Sequence, residues 1–308
     1  MRACVDIGGT KVAVSLSADS TSPLIGRRSE PTAKTGDNDA VARQILRLVD
    51  ETCAEQGVDP DSVERVGVSS AGPFVLRDGL FELATPNICG GIAGPARGLP
   101  NDWMTAVLEA PLRQRFRHVR VENDAVAALE AERRWGALQG SDHCAYVTWS
   151  TGVGVGLCVD GRVLHGKNGN AGHAGHSFVA DDDNGALCGC GNRGDVEALV
   201  AGNAIARRFA RPAHEVFAAA AAGDAQAQAA IDGLCRVMGR MLFNLIATLD
   251  LERISLGGSV FWHNRDVLLP KLAAEIDGKL AALTRDAVLV PAGLGERVGD
   301  YAALALLD

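Results

Sequence analysis

The chain has no run of 18 consecutive apolar residues, which excludes a membrane-spanning helix as the sequence reads. It has no excess of positive charge either. Thirty Lys and Arg stand against 38 Asp and Glu, a net charge of −8, and this argues against nucleic acid as the main partner. The eight cysteines form no dense framework of the kind that staples small secreted domains. A reducing, cytoplasmic compartment is expected, where "CGC" at 188–190 reads as metal or redox chemistry more readily than as a disulfide. A leader peptide is also not expected. The opening "MRACVDIGGTKVAVSL" carries Asp6 and Lys11 inside its apolar stretch, a poor signal sequence and a good strand–turn–strand. No linker rich in Pro, Gly or Ser divides the chain, so its halves are expected to share a cleft.

What remains is a chain of 308 residues, 47% hydrophobic and 22% charged, long enough for two ordinary domains. Two stretches repeat one pattern. "ACVDIGGTKVAVSLS" (3–17) and "AYVTWSTGVGVGLCVDG" (145–161) are each a β-rich run, a glycine turn and a second β-rich run. Each reads as a hairpin opening a domain. After each hairpin come helices alternating with strands, an α/β order. "VRVENDAVAALEAE" is a strand running into a helix. The segment from 204 to 250, with its Ala run at 218–222, is helical. "RISLGGSV" is a strand ending in a turn, and "GERVGDYAALALLD" is a closing helix. The expected division is residues 1–121 plus a closing helix at about 296–308, and residues 122–295.

The turns carry the first chemistry. In "DIGGTK", Gly8 and Gly9 let backbone approach a phosphate, and Thr10 and Lys11 can donate to its oxygens. Asp6 at the strand end can hold water around a phosphate-bound magnesium ion. A plain hairpin turn explains the hexapeptide as well, since it lacks both the GxxxxGK[ST] and the GxGxxG spacing. "STGVGVG" offers Ser150, Thr151, Gly152 and Gly154 in the same role. Two such turns, one per half, suggest a nucleotide polyphosphate held by related domains. In "LGGS", Gly257 and Gly258 can let an adenine or ribose lie on the backbone, or simply turn a strand into a helix. In "END", Asn123 and Asp124 are both good helix N-caps. Asp124 also reads as a base that accepts the proton of an attacking hydroxyl in phosphoryl transfer. The expectation is that one residue caps while the other faces the substrate, and that the helix N-terminus keeps Asp124 ionised and weakly basic. The stretch "GHAGHSFVADDDNGALCGCGNRGD" (172–195) looks like a metal knot, with Asp195 where a further cysteine would complete four ligands. Asp181, Asp182 and Asp183 read as solvated loop residues.

Taken together, "DIGGTK", "VENDA", "STGVGVG", "GNAGHAGH", "CGCGNRGDVEA" and "LGGS", in this order along essentially the whole chain, resemble the ROK family of sugar kinases. The resemblance implies a two-domain actin-like ATPase fold, an α/β class, with ATP and sugar in the cleft. It implies transfer of the γ-phosphoryl group of ATP, with Mg2+, to a sugar hydroxyl, usually the 6-hydroxyl of a hexose, and commonly a homodimer. Carried over by position, Asp124 matches the general base and Asn123 its sugar-binding neighbour. Gly8, Gly9, Thr10, Thr151 and Gly152 match the phosphate turns. His176 and Glu197 match sugar-binding positions, and His176 is also a ligand of the family's structural zinc. The family's repressor members carry an N-terminal helix-turn-helix. With "DIGGTK" beginning at residue 6, none is expected here.

Two departures shape the expectation. Asp195 stands where the family has its third zinc cysteine. An aspartate is about as short and can ligate zinc, so a His176–Cys188–Cys190–Asp195 site is feasible though weaker. Alternatively the metal is lost and Asp195 caps the helix that follows. His173 stands where the family's "G-E-x-G-H" has a glutamate. A neutral histidine offers one donor and one acceptor where a carboxylate accepts twice. This points to an amino or N-acyl hexose resembling kanosamine or N-acetylmannosamine, with glucose as the alternative and a non-catalytic sugar-sensing regulator as an alternative of another class. "ATPNICGG" (84–91) is expected to form a sugar-side loop in which Asn87 donates to a hydroxyl, or else a Pro–Asn turn.

Overall fold

The computed structural model describes residues 1–19, 22–93, 98–180 and 185–307. Asp181, Asp182 and Asp183 lie outside them. Thirteen strands are described: β1 Arg2–Ile7, β2 Lys11–Ser17, β3 Ile25–Pro31, β4 Arg65–Ser70, β5 Phe74–Arg77, β6 Leu80–Leu83, β7 Ala106–Val107, β8 His118–Asn123, β9 Cys144–Trp149, β10 Val153–Val159, β11 Arg162–Val163, β12 Arg253–Gly257 and β13 Val288–Pro291. The chain divides into two compact units. One comprises Met1–Ala131, His165–Ala171 and Arg297–Asp308; the other comprises Glu132–Leu164 and Gly172–Glu296. The helix Asp124–Trp135 starts in the first and ends in the second.

The first unit holds a five-stranded sheet in the order β3-β2-β1-β4-β8. β1, β2 and β3 form an antiparallel meander, while β4 and β8 run parallel to β1. Both faces of the central strands are covered, so β1, β2 and β4 read as nearly continuous buried runs rather than alternating ones. The edge strand β3 alternates between exposed and half-buried residues. On one face Val5, Ile7, Val68 and Val121 pack with Ile45, Leu48 and Val49 of the helix Ala40–Gln56. Each such fully buried side chain contributes about 1.5–3 kcal/mol. A three-stranded sheet, β5-β6-β7, completes this unit.

The second unit repeats the plan. Its sheet has the order β11-β10-β9-β12-β13, again an antiparallel meander followed by two parallel strands. The hairpins expected at 3–17 and 145–161 are β1–β2 and β9–β10. The long helical segment is three helices, Gly202–Phe209, Ala213–Ala221 and Ala225–Leu249. The first break falls at Pro212, which opens the second helix; the other falls at Gly223, whose φ is +92°. The Asp224 carboxylate then caps the third helix, accepting from the N–H groups of Gln226 and Ala227. That helix buries Ala227, Ile231, Leu234, Met238, Met241 and Leu242, a 3–4 residue stripe that joins Val147, Trp149 and Val155 in the core.

Candidate functional site

In the first unit the candidate residues gather at the carboxyl ends of β1 and β8. The β1–β2 turn is closed by Gly8 N–H donating to Lys11 O at 2.8 Å. Thr32, just past β3, fastens it from outside, its hydroxyl donating to Gly8 O at 2.7 Å and its N–H to Thr10 O at 3.1 Å. Thr10 and Lys11 are exposed at this turn. Gly9 abuts Asn87, and a Cβ on Gly9 would lie 2.5 Å from Asn87 Cβ. The phosphate-type turn and the exposed Asn87 are therefore neighbours.

Strand register places Asp6, Ser69 and Glu122 side by side on one face of the sheet, across β1, β4 and β8. Asp124 follows as the first residue of its helix. Both residues of the pair bond the start of the helix. Asn123 Oδ1 and Asp124 Oδ1 both accept from the N–H of Ala125, at 3.0 and 2.8 Å. The helix N-terminus does not hold the Asp124 carboxyl below its ordinary value. Burial, then the nearby Asp6 carboxyl, push its pKa up to about 6, and the Ala125 N–H offsets them only in part. Burial also raises Asp6, against the pull of Arg27 and Lys11. A carboxylate titrating near 6 is ionised at neutral pH yet basic enough to take a proton.

In the second unit the metal-type cluster is assembled by the turn Ala174–His176, the "CGC" loop and the start of the helix Val196–Val200. The four ligand atoms of His176, Cys188, Cys190 and Asp195 all lie within 4.8 Å of one another. His176 Nδ1 is 3.1 Å from Asp195 Oδ2 and 3.7 Å from Cys188 Sγ, while Cys190 Sγ is 3.5 Å from the same Asp195 oxygen. Tetrahedral zinc with ordinary bond lengths separates N from O by about 3.3 Å, and sulfur from N or O by about 3.5 Å. These three separations are close to those lengths. Asp195 Oδ1 accepts from Ala198 N–H at 2.7 Å and caps the helix, while Oδ2 faces the cluster.

The electrostatics of the cluster follow from the same contacts. Asp195 is fully buried. Burial works to raise its carboxyl, but bonds from His176, Ala198 N–H and Cys188 outweigh that and hold it below the usual value. The Asp195 bond raises His176 in turn. Burial pushes the Cys188 thiol up; a dication there would favour thiolate instead.

Glu197 ties this cluster to the β9–β10 turn. Its Oε2 accepts from Val153 N–H at 2.9 Å, and its Oε1 accepts from Cys188 Sγ at 3.4 Å. Gly152 lies against the same carboxylate, where a Cβ would be 2.7 Å from Oε2. Thr151 is exposed at the turn, and Ser150 O accepts from Gly202 N–H at 2.8 Å. His173 leads into the turn Ala174–His176, its ring 6.1 Å from that of His176. At the end of β12, Gly257 is buried against the Tyr146 hydroxyl. Gly258 has φ +85° and lies where a Cβ would be 2.5 Å from Trp149 O, so only glycine fits this turn.

Thr32 and Glu122 were not singled out in the sequence. Thr32 is legible only once β3 is paired with β2. Glu122 is legible only once β8 is paired with β4 and β4 with β1.

Comparison with known proteins gives a consistent result. The family model described as "ROK family" matches residues 2–308. A glucokinase of Aeropyrum pernix is 31% identical over 98% of this chain and 95% of its own length. An N-acetylmannosamine kinase of Citrobacter koseri is 34% identical over 83% of this chain and 82% of its own. Among solved structures, a ROK hexokinase from Thermus thermophilus is 31% identical with a TM-score of 0.75, covering 99% of this chain and 97% of that one. A ROK family glucokinase from Streptomyces griseus, in complex with glucose and AMPPNP, is 27% identical with a TM-score of 0.73, covering 99% and 98%.

Proposed function

The chain belongs to the ROK family and has the two-domain actin-like ATPase fold of its sugar kinases, and on that premise we propose that it is an ATP-dependent kinase of an amino or N-acyl hexose, acting on the 6-hydroxyl. The observation that carries the catalytic part is Asp124: a half-buried carboxylate raised to about 6 by burial and by Asp6, held at a helix start beside Asn123. As the sugar oxygen attacks the γ-phosphorus and the bond to ADP breaks, Asp124 accepts the hydroxyl proton. Asn87, Asn123, His173, His176 and Glu197 are assigned to the sugar. Gly8, Gly9, Thr10, Lys11, Thr151 and Gly152 are assigned to the phosphates, and Gly257 and Gly258 to the nucleoside. Asp6 would hold a magnesium ion carried by ATP, which would supply charge stabilisation to the phosphoryl group. Zinc at His176, Cys188, Cys190 and Asp195 would be structural, fixing the loop that presents His176 and Glu197.

The acceptor class rests on His173. Where the family's glutamate accepts two hydroxyl protons, an imidazole can donate one bond and accept another, a set that suits an amide or amine substituent beside a hydroxyl. The identity to N-acetylmannosamine kinases supports this reading. The nearly full-length similarity to a glucokinase supports glucose as the second reading. A coupled assay of ADP release with ATP and glucose, mannose, glucosamine, N-acetylmannosamine, N-acetylglucosamine or kanosamine tests both. The highest kcat/KM is expected with an amino or N-acyl hexose. A preference for glucose reassigns the acceptor, and no turnover with any of them refutes the kinase in favour of a sugar-sensing regulator.

A further inference from the structure

The segment His165–Ala171 packs with the first unit, although the chain before it and after it packs with the second. Two side chains and one glycine fasten it there. The Asn170 amide clamps the backbone of Phe74 as a strand partner would. Phe74 N–H donates to Asn170 Oδ1 at 2.8 Å, and Asn170 Nδ2 donates to Phe74 O at 2.8 Å. Gly169, with φ +72°, lies on the Phe81 ring, where a Cβ would be 2.7 Å from Cε1. His165 Nδ1 lies 3.2 Å from Oε2 of Glu122, a carboxylate whose other oxygen is 3.7 Å from Arg120. Ala171 N–H closes the segment on itself by donating to His165 O at 3.0 Å.

The places this strap grips are not arbitrary. Phe74 and Phe81 belong to β5 and β6, and β6 runs directly into the segment that carries Asn87. Glu122 immediately precedes Asn123 and Asp124. The strap ends at Ala171, and the turn that carries His173 begins with the next residue. Gly172 in turn is packed so closely on β10 that a Cβ would be 2.0 Å from Val155 O. The first residue of the turn is therefore held from two sides, by β10 and by the strap that ends one residue before it.

We propose that Asn170 and His165 are positioning residues for the sugar: by pinning the strap they set where the turn Gly172–His176 begins and so hold His173 for the acceptor. This rests on the sugar-kinase reading. The phosphate turns are fastened separately, by Thr32 and by Glu197, so losing the strap acts on the sugar and leaves ATP binding as it is. Removing two neutral hydrogen bonds shifts a docked-to-free balance about tenfold or more. Where only the docked strap binds, the apparent affinity for sugar falls in proportion to the docked fraction.

Steady-state kinetics on the full chain, with the best sugar of the panel, test this. Asn170→Ala is expected to raise the sugar KM by up to about tenfold, with kcat and the ATP KM within about twofold. Asn170→Asp keeps the acceptor for Phe74 N–H and loses the donor, so it should fall between. His165→Ala should raise the sugar KM, and His165→Gln, which can still donate to Glu122, should restore it. Equal changes in both KM values, a fall in kcat alone, or an unchanged sugar KM overturns the proposal. Hydrogen exchange of the same proteins gives a readout independent of turnover. Phe74 and residues 172–176 should exchange faster in Asn170→Ala, and if Asn170→Ala folds poorly, in Asn170→Asp. Unchanged exchange at 172–176 sinks the strap even if the kinase assay succeeds. Faster exchange with no turnover on any sugar leaves the strap standing and sinks the kinase reading.

Discussion

Asp195 offers the sharpest test of the second unit, because its two oxygens do different work. Oδ1 caps the helix Val196–Val200 through Ala198 N–H, and Oδ2 faces His176 and Cys190. Asp195→Asn leaves an acceptor for the cap and turns an amide nitrogen toward the cluster, where it cannot ligate. Asp195→Ala removes both. The cap is worth about 1 kcal/mol, which for a chain of this size is a fall of roughly 1.5 °C in Tm. That is the expected difference between the two variants. The ligand is worth more. Loss of an outer-shell partner alone weakens metal sites 10–100-fold, so loss of a direct ligand should weaken zinc by at least about a hundredfold. Elemental analysis of protein purified without chelator should find about one zinc per unsubstituted chain and near none in either variant. Chelation of the unsubstituted protein should lower its Tm to about that of Asp195→Asn. Zinc retained by Asp195→Asn, or an unsubstituted protein that purifies without zinc and whose Tm ignores chelation, would refute the four-ligand reading. A Tm difference near zero between the variants would refute the cap.

Asp124→Asn should lower kcat by about 10²–10⁴ while leaving sugar binding largely intact, as measured by equilibrium binding; near-normal turnover defeats the assignment of the base. Its stability has a sign as well. The folded pKa of about 6 stands above the ordinary 3.8, so the favourable contribution is complete below 3.8 and is lost as pH rises through 6. The neutral amide removes that loss, and thermal melts should find Asp124→Asn gaining on the parent between pH 4 and pH 7. For the parent enzyme, kcat/KM should fall about tenfold per pH unit below about 6, because the base must be ionised; a profile flat down to pH 5 contradicts it. Gly9→Ala puts a Cβ 2.5 Å from that of Asn87 and should cost about 1–3 kcal/mol by denaturant unfolding, with a raised KM for sugar if Asn87 touches it.

The hairpins, the α/β order and the three glycine turns were legible because each is local. Short, nearly continuous apolar runs on either side of a Gly-Gly or Thr-Gly turn specify β1–β2 and β9–β10 without any distant residue. That the two sheets share one strand order was visible only as a repeated hairpin, since β4, β8, β12 and β13 join by parallel pairing across long connections. Thr32, Glu122 and the strap of His165–Ala171 were not legible for the same reason. Each acts through a partner between 24 and 96 residues away, and no local spacing encodes that distance.

The electrostatic expectations failed where several terms competed at one residue. A helix N-terminus lowers a carboxylate pKa by an amount limited to the first turn and to partial charges, and Asp124 does receive it, through Ala125 N–H. The sequence could not weigh this against desolvation or against Asp6, because Asp6 lies 118 positions earlier and reaches the same face only through the β1–β4–β8 register. Burial and a like charge together exceed the helix contribution, and the carboxyl is raised to about 6 instead of lowered. Asp195 shows the opposite balance. There too burial works to raise the carboxyl, but three bonds to its two oxygens win. The two aspartates differ in which influence prevails: at Asp124 burial and the Asp6 carboxyl outweigh the N–H groups of Ala125 and Asp124 and the Asn123 side chain, whereas at Asp195 an imidazole, an N–H and a thiol outweigh burial. The first carboxyl takes up a proton more readily than an ordinary one, and the second less readily.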